Sequence, residues 1–128
     1  MPHSDDEIQA KVLVVEDNDF VRMQVATFLR GAGHDVVEAT DGRMGIDKMD
    51  KTIEVAVVDV RMEPMGGFEF IQIIEGEGYE IPVVLLTGDQ NSDLLERAGQ
   101  HAVSSVLLKP VQKDKLLNMV MRLASRGR

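Results

Sequence analysis

The sequence predicts a doubly wound α/β domain, a five-stranded parallel sheet between two layers of helices. Five short aliphatic runs recur along the 128 residues, each apolar throughout rather than alternating with polar residues, and stretches with helical spacing fall between them. Strands covered on both faces have this unbroken character, and parallel neighbours need a right-handed helical crossover. Alternation of β and α elements with short connections therefore implies helices on both faces of one sheet.

Val12 to Val15 is the first strand. Val21, Val25, Phe28 and Leu29 follow at helical spacing, with Asp17 or Asn18 placed to cap that helix and Gly31 and Gly33 to end it. Val36 and Val37 form the shortest run and belong at a sheet edge, and a weaker helix spans Asp41 to Asp50 through Met44, Ile46 and Met49. The third strand, Val55 to Val58, ends in Asp59 and leads to a helix through Phe68, Ile71 and Ile74, closed by Gly76 and Gly78. Val83 to Leu86 is the fourth strand, followed by Thr87 and Gly88, and its helix carries Leu94, Leu95, Ala98 and Ala102. Val106 to Leu108 ends in Lys109-Pro110, with Pro110 opening a last helix through Leu116, Val120 and Leu123. Residues 1–9 are expected as a frayed tail and residues 10–126 as one domain.

Composition narrows the function. With 4% aromatics, no Trp and no Cys, the core is aliphatic, and a disulfide framework, a thiolate metal site or a Cys nucleophile is excluded. A net charge of −8 repels a phosphate backbone, so no direct nucleic-acid ligand is expected. No apolar run approaches a membrane span, and Met1 to Ala10 is acidic and polar where a secretory signal is basic and then apolar. The expectation is a cytoplasmic chain without membrane contact. His3, His34 and His101 are scattered without metal-ligand spacing.

Ligands of doubly wound sheets bind beyond the carboxyl ends of the strands. Glu16 and Asp17 follow the first strand, Asp59 ends the third, Thr87 follows the fourth and Lys109 ends the fifth. Singly, these have ordinary readings as caps, turn residues or a solvated lysine. Together they place three acids, a hydroxyl and an ammonium on one edge. Clustered carboxylates repel one another, and a hard dication such as Mg²⁺ relieves that repulsion. Lysine and threonine opposite a metal suit a transferring phosphoryl group, and a carboxylate among them can act as nucleophile, forming an acyl phosphate.

These residues resemble the receiver domains of two-component response regulators, in particular the single-domain, chemotaxis-regulator-like kind. The carriers are VLVVEDND (Val12 to Asp19), VVDVRM followed by Gly67, VVLLTG (Val83 to Gly88) and LLKP (Leu107 to Pro110), over about Lys11 to Ser125. The resemblance implies a flavodoxin-like three-layer sandwich with strand order 2-1-3-4-5. It implies Asp59 as the phosphoacceptor, Asp17 as a direct Mg²⁺ ligand, Glu16 acting through water and the Arg61 backbone carbonyl completing the metal shell. Lys109 would hold phosphoryl oxygens, Thr87 would move with the phosphoryl group, and the Lys109-Pro110 peptide would be cis. Implied partners are a histidine kinase or phosphotransfer protein and a downstream protein still to be identified. A homodimer through the fourth helix, fifth strand and fifth helix is a further arrangement of this kind. Such a domain helps catalyse its own phosphorylation and hydrolysis but turns over no separate metabolite. One receiver uses nearly all of the 128 residues, so the message is expected to leave by contact with another protein.

Three departures from the family pattern stand out. Val106 occupies the position of the usual switch aromatic, and valine has few rotamers and no hydroxyl, so the readout must use backbone shift or loop ordering. The loop Met62 to Gly67 has its proline one place late. Arg61 and Asp89 flank the acceptor and the threonine where they can pair and lengthen the phosphoryl lifetime. Two alternatives remain at this level: a receiver-like interaction module working without phosphorylation, and a haloacid-dehalogenase-type phosphatase suggested by Asp17-Asn18-Asp19. The second lacks an acidic pair after Lys109. An FMN module would need a hydroxyl- and Gly-rich loop where this chain is acidic.

Overall fold

A strand covered on both faces has no wet side to keep polar, and the centre of this sheet is accordingly valine and leucine. A computed structural model describes residues 8–89, 92–101 and 103–127. Most of the expected tail, His3 and Ala102, which the sequence assigns to the fourth helix, lie outside the described residues. In the described part of that tail, Ile8 packs against the core. The strands are β1 (Lys11–Val15), β2 (Asp35–Ala39), β3 (Val55–Asp59), β4 (Val83–Thr87) and β5 (Val103–Leu108). All neighbours pair parallel in the order β2-β1-β3-β4-β5, the doubly wound order expected, with the short second run at an edge. Every residue of β3 and β4 is buried, whereas outer strands β2 and β5 carry exposed positions.

The helices are α1 (Asp19–Gly31), α2 (Gly42–Lys48), α3 (Gly67–Gly76), α4 (Ser92–Gln100) and α5 (Lys113–Arg126). Successive strand residues face opposite layers, so β1 splits its side chains between two cores. Val12 and Val14 join Val25 and Leu29 of α1 and Leu116 and Val120 of α5. Leu13 and Val15 join Phe70, Ile71 and Ile74 of α3 and Leu94 and Ala98 of α4. No described helix is long and apolar enough to cross a membrane.

Local chemistry sets the boundaries. Asn18 caps α1 by accepting from Val21 N at 3.0 Å, and Asp41 caps α2 by accepting from Met44 N at 2.9 Å. Gly33 takes the positive φ of 93° that turns the chain from α1 into β2. Two expected boundaries move. The second helix stops at Lys48, because Met49 leaves it in an extended conformation and turns its side chain into the core. The last helix starts at Lys113, not Pro110. Lys109 N still donates to Thr87 O at 2.8 Å in the sheet, and the first helical turn closes on the Gln112 carbonyl, which accepts from Leu116 N at 3.0 Å. β5 also starts at Val103, earlier than its apolar run, because its half-wet edge position tolerates Ser104 and Ser105.

Candidate functional site

The carboxyl ends of β1, β3, β4 and β5 converge on one rim. Glu16 extends β1 by one residue, its N donating to Ala39 O at 3.1 Å, and its side chain is fully buried. Glu16 Oε2 accepts from Asn18 N at 3.1 Å. Oε1 lies 3.0 Å from Lys109 Nζ but outside hydrogen-bonding angles, so this buried oxygen has a charge beside it and no true donor. Asp59, also buried, ends β3 with Oδ1 3.1 Å from the same ammonium. Asp17 is exposed, yet carboxylate oxygens of Glu16, Asp17 and Asp59 all lie within 4.8 Å of one another.

Burial pushes the Glu16 carboxyl up to about 7, with the charge of Asp59 adding to the rise and the Lys109 and Asn18 contacts opposing it. Burial alone would lower Lys109, but its close contacts with the Glu16 and Asp59 carboxylates outweigh that and hold its ammonium above the usual lysine value. The lysine is therefore a fixed cation between two carboxylates.

Thr87 ends β4, buried, and its hydroxyl both donates to Asp89 O at 2.7 Å and accepts from Asp89 N at 3.0 Å. Arg61 and Asp89 meet at the surface, Nη2 to Oδ2 at 3.6 Å. Both line a cleft of about 320 Å³ beside Thr87, together with Phe68 and Leu94. Val106 is half-buried against the α3 and α4 core. The Lys109-Pro110 peptide is cis, and so is Glu63-Pro64 in the loop after β3. The structure thus brings Glu16, Asp17, Asp59 and Lys109 together, places the Thr87 hydroxyl against its own loop, and sets Val106 on the neighbouring core.

Two groups had no motif to announce them. Arg22 of α1 donates from Nη1 to the Glu16 carbonyl at 2.9 Å. Arg97 of α4 stacks 4.2 Å over the Phe68 ring, with His101 5.4 Å from it. His34 accepts from Ala10 N at 3.0 Å in a buried structural role.

Comparison with known proteins agrees with this geometry. The family model described as response regulator receiver domain matches residues 12–121. The CAI-1 autoinducer sensor kinase/phosphatase CqsS of Vibrio cholerae is 31% identical over 116 residues, 88% of this chain and 17% of that protein. The transcriptional regulatory protein PdtaR of Mycobacterium tuberculosis is 29% identical over 98% of this chain and 62% of its own length. The chain therefore spans only part of these curated relatives. Among solved structures, the chemotaxis protein CheY4 of Vibrio cholerae superposes with a TM-score of 0.85 at 31% identity, covering 91% of this chain and 99% of that one. With the matched sheet order and the family model over most of its length, the chain belongs to the response regulator receiver domains, the phosphoacceptor modules of two-component signalling.

Proposed function

We propose that Asp59 is the phosphoacceptor of this receiver, taking its phosphoryl group from a phosphohistidine on a histidine kinase or phosphotransfer protein. The observation that carries the reading is the Lys109 ammonium held between Glu16 and Asp59, 3.0 and 3.1 Å from their oxygens, with Asp17 beside them. An Asp59 oxygen attacks phosphorus, the P–N bond breaks, and its electron pair leaves with the imidazole. Hydrolysis reverses the gain: water attacks phosphorus, the P–O bond to Asp59 breaks, and inorganic phosphate departs.

The residues fit Mg²⁺. Three clustered carboxylates and a buried Glu16 Oε1 lacking a proper donor form a hard, anionic oxygen set. Asp17 and Asp59 would hold the ion directly, Glu16 through water, and the Arg61 carbonyl would complete the shell. Bound there, Mg²⁺ neutralises charge on the phosphoryl oxygens. Lys109 supplies a second fixed positive charge to those oxygens. Thr87 donates to the phosphoryl group only by giving up its donation to Asp89 O, so phosphorylation loosens the loop after β4. With Val106 in the aromatic's place, that loop carries the signal to the face of α4, β5 and α5, where Leu108 is exposed beside Lys115 and Met119. A downstream protein or a second copy of the chain would read that face in the cytoplasm. The receiver unit spans residues 10–126.

The test is intact mass after incubation with a small acyl phosphate and Mg²⁺. A single phosphoryl adduct on the wild type and none on Asp59→Asn supports the reading. Equal adducts on both, or none on either, sinks it.

A further inference from the structure

The guanidinium of Arg22 fans out among three acceptors on three segments. Nη1 donates to the Glu16 carbonyl at 2.9 Å, Nη2 to Asp19 Oδ1 at 2.7 Å, and Nε lies 3.4 Å from Glu38 Oε1 on β2. The Arg22 side chain is only 14% exposed, and although its partner Asp19 lies at the surface, the bond to the Glu16 carbonyl is sheltered. The carbonyl it holds belongs to the peptide joining Glu16 to Asp17. Upstream, that acid pair is tied by Glu16 N to Ala39 O, and downstream by Asn18 N to Glu16 Oε2. Arg22 supplies the side-chain tie at the peptide that leads into Asp17.

We propose that Arg22 is a positioning residue for the cation site, fixing the Glu16–Asp17 peptide so that the exposed Asp17 carboxylate stays beside Asp59. Without it, mutual repulsion of Glu16, Asp17 and Asp59 pushes the turn outward. The inference rests on the reading of these acids as the Mg²⁺ site. A planar fork suits the task, because it can hold a carbonyl, a helix-start carboxylate and a strand carboxylate in one geometry, which a point-like ammonium cannot.

A role as mere counter-charge gives the opposite sign. Removing a cation near an acidic cluster makes the potential more negative and tightens binding of a dication. Removing a positioning tie loosens it, by about 10- to 100-fold when the tie supports metal ligands.

Calorimetric titration with Mg²⁺ of the wild type, Arg22→Met and Arg22→Lys separates the two, with metal-free ¹H–¹⁵N spectra verifying the fold. The Met variant is expected to bind Mg²⁺ about tenfold more weakly and the Lys variant to fall between it and the wild type. Unchanged or tighter binding in a folded Met variant overturns the proposal. Should that variant not fold, the Lys variant decides: weaker binding supports the proposal and wild-type affinity overturns it. A wild type that binds no Mg²⁺ removes the metal reading together with this one, whereas variants equal to a binding wild type remove this one alone.

Discussion

Gly67 presses its bare Cα against the backbone of Asp59 so closely that a β-carbon there would overlap the Asp59 carbonyl oxygen. The first residue of α3 is thereby locked to the end of β3, and Gly67 N donates to Val60 O at 3.0 Å across the same contact. Because the clashing atom is backbone, no flexible side chain can yield. Gly67→Ala is expected to destabilise the domain by about 1–3 kcal/mol, the usual cost of overpacking, and to lower the yield of the phosphoryl adduct. Gly99→Ala, in open space on α4, is the opposing control and is expected to gain about 0.5–1 kcal/mol. Urea midpoints measure both, and a Gly67→Ala domain as stable as the wild type contradicts the account.

Stability of the metal-free protein carries a signature of Glu16. Its carboxyl stands at about 7 in the fold against an ordinary 4.5, chiefly through burial. Between those values the folded chain keeps a proton that the unfolded chain has released, so this group's contribution falls as pH rises from 4.5 to about 7 and is level above. Glu16→Gln is neutral throughout and lacks that slope. Thermal midpoints in chelator from acid to mildly alkaline pH are expected to show the wild type losing ground to the Gln variant across this window, by on the order of a few degrees. A difference that does not change with pH would falsify the assignment.

Lys109 is the cation for two buried acids, so its loss costs most when both are charged. Lys109→Met leaves Glu16 and Asp59 facing each other without it. At alkaline pH the expected cost lies near or below the lower end of roughly 3–5 kcal/mol, since the ammonium is partly open to water. At acid pH, Glu16 holds a proton and the cost shrinks. Chemical denaturation at the two pH values measures the difference, and adduct formation is expected to fall with it. Equal costs at both pH values would mean that the lysine does not compensate these carboxylates.

How much of this was legible depended on the kind of interaction. The sheet could be read because full burial makes β1, β3 and β4 unbroken aliphatic runs, whereas its strand order came from the family resemblance, beyond the edge place that the shortness of the second run suggested. Strand-end chemistry was legible because Glu16, Asp59, Thr87 and Lys109 stand at or next to those runs. β5 was read short because an edge strand carries polar residues, and the start of α5 was misplaced because a proline at the end of a strand resembles one that opens a helix. Arg22 and the Arg97–Phe68 stack escaped because each depends on where two elements lie in space, which no local pattern encodes.

The remaining prediction concerns a pair too exposed to matter for folding. Arg61 and Asp89 are 80% and 52% exposed and 3.6 Å apart, geometry worth about 0–1 kcal/mol. Both nevertheless line the cleft beside Thr87. The hypothesis under test is that the closed pair limits access of water to a phosphorylated Asp59 and lengthens the lifetime of the acyl phosphate. Arg61→Ala is therefore expected to speed hydrolysis a few-fold while leaving the urea midpoint unchanged. Asp89→Ala, which breaks the pair but keeps the arginine charge, separates this obstruction from a direct effect of that charge on phosphate: it is expected to speed hydrolysis as Arg61→Ala does. Raising ionic strength screens an exposed pair, so wild-type hydrolysis should accelerate toward that of the Arg61→Ala variant, whose own rate stays level. Decay of the phosphorylated protein followed by intact mass gives these rates, and an Arg61→Ala lifetime equal to that of the wild type removes the pair from any role in timing.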